Sequence, residues 1–86
     1  MDENNSKDEF SINPNPSRYN QIVILLPESM RSGLLEVWTA QGEKVLSRVF
    51  KESEKISLNT SSMAPGVYTV RITNQRIEQI KPLIKL

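Results

Sequence analysis

The 86-residue chain contains no cysteine and no histidine. Without thiols there is neither a disulfide framework nor a thiolate metal site. Without imidazole, the commonest metal ligand, the commonest general base near neutral pH and every Ser-His or Cys-His nucleophile pair are absent. Glycine occurs only three times, too sparsely for a phosphate-cradling loop. No apolar run approaches the ~20 residues of a membrane-spanning helix, and the N-terminus lacks the basic-then-apolar pattern of a signal peptide. The apolar share is 37 %, and a chain this short buries only about 60–65 % of its unfolded surface, so the core must be thin. The expectation is a small non-catalytic module with no cofactor, no metal and no small-molecule substrate.

Charge divides the chain unevenly. The overall net charge of +1 gives no electrostatic footprint for a nucleic acid. Residues 1–9 carry Asp2, Glu3, Asp8 and Glu9 against Lys7 alone, with no apolar group between Met1 and Phe10. They read as an acidic polar linker ahead of a domain spanning residues 10–86. That domain has ten basic and six acidic groups, net +4.

What the chain does have is β-forming sequence. Val, Ile and Thr number eighteen, and their stiff branched side chains suit a pleated surface better than a helix. Short runs recur every 8–12 residues between turn signals. The first, at residues 10–12, stops at Asn13-Pro14-Asn15-Pro16, where two prolines remove ladder donors. Residues 21–26 are apolar without alternation from Ile22, which predicts cover on both faces or one face at an intermolecular contact. Residues 34–40 and 43–50 form a hairpin about Gly42, a residue that tolerates the positive φ of such turns. Leu35 and Val37 share one face of the first arm and Glu36 and Trp38 the other. In the second arm alternation leaves open whether Val45 and Val49 or Leu46 and Phe50 face inward. A short run follows at Ile56 and Leu58, then the clearest alternation, with Tyr68, Val70 and Ile72 on one side of residues 67–73. The last run, residues 76–86, is interrupted at Pro82. A helix over residues 29–38, with Met30, Leu34 and Trp38 on one face, competes poorly because it contains Gly33 and Val37. Seven strands and no persuasive helix predict an all-β, seven-stranded antiparallel sandwich of immunoglobulin-like type.

No constellation points to catalysis. Glu52 and Glu54 lie between Lys51 and Lys55 and read as solvated charge on a turn, not as an acid/base pair. Ser61 and Ser62 have no base within a recognised spacing. Trp38 reads first as a core tryptophan and second as a ligand-stacking one.

Four segments taken together are more specific. They are Ile12-Asn13-Pro14-Asn15-Pro16-Ser17, the hairpin from Leu35 to Val45 through Gly42, Ala64-Pro65-Gly66-Val67-Tyr68-Thr69-Val70-Arg71-Ile72, and the terminal Lys81-Pro82-Leu83-Ile84-Lys85-Leu86. Their order and spacing, from about Phe10 to the last residue, resemble the C-terminal sorting domain of type IX secretion cargo from Bacteroidetes, the type A or Por secretion family. Thr39, where similar domains often have Asp, and Pro82, where Lys is common, depart from the pattern.

The resemblance implies a C-terminal address that directs its parent protein across the outer membrane. The implied partners are the outer-membrane type IX translocon, its shuttle protein and a sortase that removes the domain and attaches the cargo. The implied route runs through the periplasm to the cell surface or medium, with the parent's own leader at its far N-terminus. Matching positions are Asn13, Pro14, Asn15, Pro16, Gly42, Gly66, Tyr68, Arg71, Lys81, Leu83, Ile84, Lys85 and Leu86. Because proline cannot donate to a ladder, the strand after Pro82 is expected to be an accessible edge, suited to strand addition by a receptor or to homodimerisation. On that expectation, losing residues 83–86 leaves a folded domain, and Lys85→Glu is nearly neutral for stability. The competing reading is an immunoglobulin- or fibronectin-like accessory module that binds a protein or glycan through Trp38 and nearby loops.

Overall fold

The computed structural model describes residues 8–86, which form seven β-strands, with a 3₁₀ turn between the second and the third. The strands are β1 (Ser11–Asn13), β2 (Gln21–Leu25), β3 (Gly33–Thr39), β4 (Lys44–Phe50), β5 (Lys55–Asn59), β6 (Gly66–Thr73) and β7 (Glu78–Lys85). All strand pairs are antiparallel. They make two sheets, one of three strands in the order β1-β2-β5 and one of four in the order β4-β3-β6-β7. The fold is all-β and sandwich-like.

Register explains the core. Ile24 lies opposite Ile12 on one side and Ile56 on the other, and Ile22 lies opposite Leu58, so branched side chains stack across the small sheet. The large sheet contributes Leu35, Val37, Tyr68, Val70, Ile72 and Leu83 to the same buried cluster. Phe10, Leu26 and Met30 are buried with them, Met30 standing on the 3₁₀ turn Glu28–Met30. That turn is the only helical feature among described residues 29–38; the rest of the stretch enters β3. Gly33 is required at this entry. A Cβ there would collide with the Thr73 carbonyl oxygen, where β3 and β6 converge.

Two expectations are corrected and a third is narrowed. Of the two alternatives for residues 21–26, cover on both faces is set aside, because Leu25 is exposed while Ile22, Ile24 and Leu26 are buried. Trp38 is not a core residue: it lies on the outer face of the large sheet, with the Lys44 ammonium 5.7 Å from its ring centroid. The chain is not interrupted at Pro82, since β7 runs continuously from Glu78 to Lys85. The ambiguity in β4 resolves with Phe50 buried, Leu46 packed on the core, and Val45 and Val49 exposed. A register shift between Val37 and Trp38 marks a bulge in the hairpin, whose turn holds Gly42 at φ 94°.

Candidate functional site

β7 is the edge strand of the large sheet, and its side chains alternate between two environments. Leu83 lies opposite Tyr68 and is completely buried; Lys85, opposite Gly66, is only 8 % exposed. Ile80, Pro82 and Ile84 point the other way and are exposed, as is Leu86 beyond the strand. The terminal segment thus has an inner register that folds the domain and an outer one that solvent sees.

The Asn13-Pro14-Asn15-Pro16-Ser17 segment explains how this edge is finished. Both X-Pro bonds, Asn13-Pro14 and Asn15-Pro16, are cis. The Asn15 amide donates from Nδ2 to the Pro82 carbonyl at 2.8 Å, and its Oδ1 accepts from the Ile84 amide at 3.0 Å. One primary amide thereby satisfies the C=O of one residue and the N–H of the second residue on, as a neighbouring strand would. Ser17 continues the pairing with its backbone. Its N–H donates to the Ile84 carbonyl at 2.7 Å, and its carbonyl accepts from Leu86 at 2.9 Å. Since the Ile84 N–H and C=O both point outward, alternation puts the backbone groups of Pro82 outward too. The missing proline N–H therefore falls on the outer edge and costs the β6–β7 ladder nothing. The last strand is an edge strand, as expected from Pro82, but its backbone after Pro82 is occupied by Asn15 and Ser17, which corrects the expectation that this stretch is open to strand addition.

The same device recurs at the other end of β7. Gln79 donates from Nε2 to the Asp8 carbonyl at 2.6 Å, and its Oε1 accepts from Phe10 N at 3.2 Å. Lys81 Nζ meets the Glu9 carboxylate at 2.7 Å. Contacts with the strand thus begin at Asp8, two residues before the expected boundary at Phe10; the remainder of the acidic segment, residues 1–7, lies outside the described residues. Lys85 closes the lower end, donating from Nζ to the carbonyl of Thr60, which is itself buried. Thr60 N also donates to Asn20 O at 2.8 Å, and Ser17 Oγ donates to Tyr19 O at 3.0 Å. The first and last motifs are therefore two sides of one clamp, joined by the loop after β5.

The remaining motif residues are distributed more widely. The Tyr68 hydroxyl donates to the Ala64 carbonyl at 2.6 Å, its ring facing the core. Asn13 pairs with Val23, and its amide reaches Ser11 Oγ at 3.3 Å. Pro14 and Pro16 are exposed on either side of Asn15. Gly66 opens β6, while Gly42 sits in a distant hairpin turn and takes no part in the clamp. Arg71 faces outward opposite Glu36, 3.8 Å from its carboxylate. Arg71 Nε lies 2.7 Å from Glu78 but off the N–H direction, making a charge pair rather than an aligned hydrogen bond. Lys44 approaches Glu36 at 3.4 Å from the other side. Glu36 is buried and flanked by these two cations, so the outer face holds a neutral charged row, Lys44-Glu36-Arg71-Glu78, beside the apolar strip of Trp38, Val67, Pro82 and Ile84. Ser17, Gln79, Thr60 and Glu36 carry much of this geometry without being among the matching positions named from the sequence. Ser17 and Glu36 lie inside two of the quoted motif segments, whereas Gln79 and Thr60 lie outside all four.

The model of the secretion system C-terminal sorting domain family, the Por secretion tail, matches residues 11–86. The chain belongs to this family. It is a type IX secretion C-terminal sorting signal, and the accessory-module reading is not favoured. No curated protein matches the chain. The match begins at β1 and ends at the last residue, so the sorting domain includes both halves of the clamp. Membership implies interaction with the secretion machinery and export to the cell surface or medium.

The clamp makes a direct prediction for the sorting domain. Asn15→Ala removes two hydrogen bonds at an exposed site, each worth about 0.5–1.5 kcal/mol net. Thermal unfolding should show a loss of about 1–3 kcal/mol, or roughly 4–24 °C for a domain of this size. An unchanged midpoint would mean that the Ser17 backbone bonds hold the edge unaided.

Proposed function

We propose that the folded domain is the recognised form of the address, and that the machinery reads the outward register of β7 together with the strip beside it. The supporting observation is the split within the terminal segment: Leu83 and Lys85 are turned into the fold, whereas Ile80, Pro82, Ile84 and Leu86 are available to a partner. The partners assigned are the outer-membrane translocon and its shuttle protein, met after passage through the periplasm. A sortase then cuts upstream of the domain and attaches the cargo to the cell surface. The domain itself is a non-catalytic address, a reading that rests on a sequence without histidine or cysteine. We assign the sandwich to the immunoglobulin-like class on two grounds. The first, second and fifth strands share one sheet and the third, sixth and seventh the other, with the fourth added at the edge beside the third. Tyr68, near the start of the sixth strand, hydrogen-bonds back to Ala64 as a tyrosine corner does.

The test is a reporter carrying the 86 residues at its C-terminus in a type IX-competent cell. Ile84→Asp changes an outward side chain that is 38 % exposed and lies opposite exposed Val67. It should leave the melting temperature within a few degrees, as surface changes of about 0.5 kcal/mol do, and should lower export strongly. Export at the unmodified level from a folded Ile84→Asp reporter would remove the outer register from the signal.

A further inference from the structure

The opposite pole of the sandwich holds a cleft of about 500 Å³, lined by Glu28, Ser29, Arg31, Ser32, Asn74 and Arg76 among others. It lies between the loop that leads into β3 and the turn joining β6 to β7. Neither belongs to the clamp. We propose that this cleft binds a small polar ligand carrying one oxyanion, with Arg31 and Arg76 as its anchors.

The walls of the cleft are fixed by one side chain. Asn74 donates from Nδ2 to the carbonyls of Ser29 and Ser32, at 3.2 and 3.4 Å, which ties the β2–β3 loop to β6. Its Oδ1 accepts from the backbone N–H of Arg76 and of Ile77, at 2.8 and 2.9 Å, which sets the turn that carries Arg76. Buried Met30 anchors the loop from below, and Ser53 N–H holds the Arg31 carbonyl at 2.9 Å. Ser32 Oγ is engaged by the Glu52 amide. The cleft is thus built before any ligand arrives, and an ordered rim loses little freedom on binding.

Arg31 supplies the second observation. Its Nε is buried and has no hydrogen-bond partner, although a guanidinium N–H in that position is a strong donor. The nearest carboxylate, Glu54, is 3.9 Å from the terminal Nη1, at the limit of an ion pair, and is 80 % exposed. A loose pair of that kind contributes little and competes weakly for the arginine. With Nε closed to solvent, the terminal Nη groups of this 40 % exposed side chain are the donors an oxyanion in the cleft can reach, and guanidinium groups match carboxylate and phosphate oxygens in two-pronged geometry. The Ser29 hydroxyl and the Gln75 amide on the rim suit neighbouring hydroxyls on the ligand. Glu28 on the same rim disfavours highly charged anions, so the ligand is assigned a single oxyanion. The volume is that of a pocket for a small molecule rather than for a bare ion.

The two sources of that oxyanion are a phosphate diester and a carboxylate, and dimethyl phosphate and glucuronate, both monoanions, represent them. Each would be titrated into the isotope-labelled 86-residue protein while the Arg31 Nε–H and the backbone amides of Ser29, Asn74 and Arg76 are followed by NMR. The expected result is saturable shifts of these four signals, with the stronger probe naming the source. Arg76→Gln should weaken binding about tenfold, the worth of one charge-assisted contact. It sits at an exposed position, and Arg31→Gln adds a second test where that variant melts as the unmodified protein does. Shifts that do not saturate, that chloride reproduces at equal ionic strength, or that survive Arg76→Gln unchanged would overturn the proposal. The export reporter is independent of this outcome, since the cleft and the outer register of β7 share no residue.

Discussion

Truncation after Pro82 is expected to destroy the cooperative fold, not to trim an accessory tail. Leu83 is completely buried between the sheets opposite Tyr68. Loss of a buried leucine side chain alone costs about 2–5 kcal/mol, because the transfer term adds to the cavity it leaves. The deletion also removes the Ile84 and Leu86 backbone bonds to Asn15 and Ser17 and the Lys85 bond to Thr60. A domain of this length has about 4–12 kcal/mol of stability in total, so these losses consume most or all of it. Circular dichroism of the truncated protein should show no cooperative melt above room temperature. A cooperative transition within about 5 °C of the full chain would contradict the burial of Leu83. The consequence for function is practical: loss of export after such a truncation reports loss of the fold. Leu83→Ala and Ile84→Asp separate the two effects, since one lies inside and the other outside.

Lys85 is expected to give the second large effect, and a graded one. It is 8 % exposed, and its ammonium lies on the buried Thr60 carbonyl. In Lys85→Glu a carboxylate faces that carbonyl with no donor between them. Breaking a buried charged contact while leaving an uncompensated charge costs about 3–5 kcal/mol. Lys85→Met keeps the aliphatic shaft and leaves only the carbonyl unsatisfied, a cost of about 1–3 kcal/mol. Urea unfolding should therefore rank the proteins native, then Met, then Glu. If Lys85→Glu unfolds at the native midpoint, the cation is a surface group after all. The near-neutral effect expected from position alone is corrected by this burial, because terminal residues are usually exposed and this one bridges the two sheets.

Local pattern carried a good deal of this protein. Alternation in residues 67–73 assigned Tyr68, Val70 and Ile72 to the core, where they lie. The turn at Gly42 followed from the demand for positive φ, and period placed Leu35 and Val37 on one face, which the structure turns inward. The order of the four motifs identified the family that the match over residues 11–86 establishes. These features depend on residues near in sequence, so a linear reading reaches them.

Tertiary structure decided the rest. Both faces of β4 carry apolar side chains, so only packing against the core and the bulge at Val37 and Trp38 could choose Phe50 over Val49. Trp38 went outside because its neighbours Leu35 and Val37 fill the inner face and the bulge places it against Lys44. Asn15 and Pro82 are 67 residues apart, and nothing in either segment says that an amide on one would serve as the neighbouring strand of the other. The same holds for Gln79 with Asp8 and Phe10, and for Lys85 with Thr60. The sequence by itself determined strands, turns and family. The finished edge of β7, and the division of its last residues into a buried and a readable register, came only from contacts that form when the two ends of the chain meet.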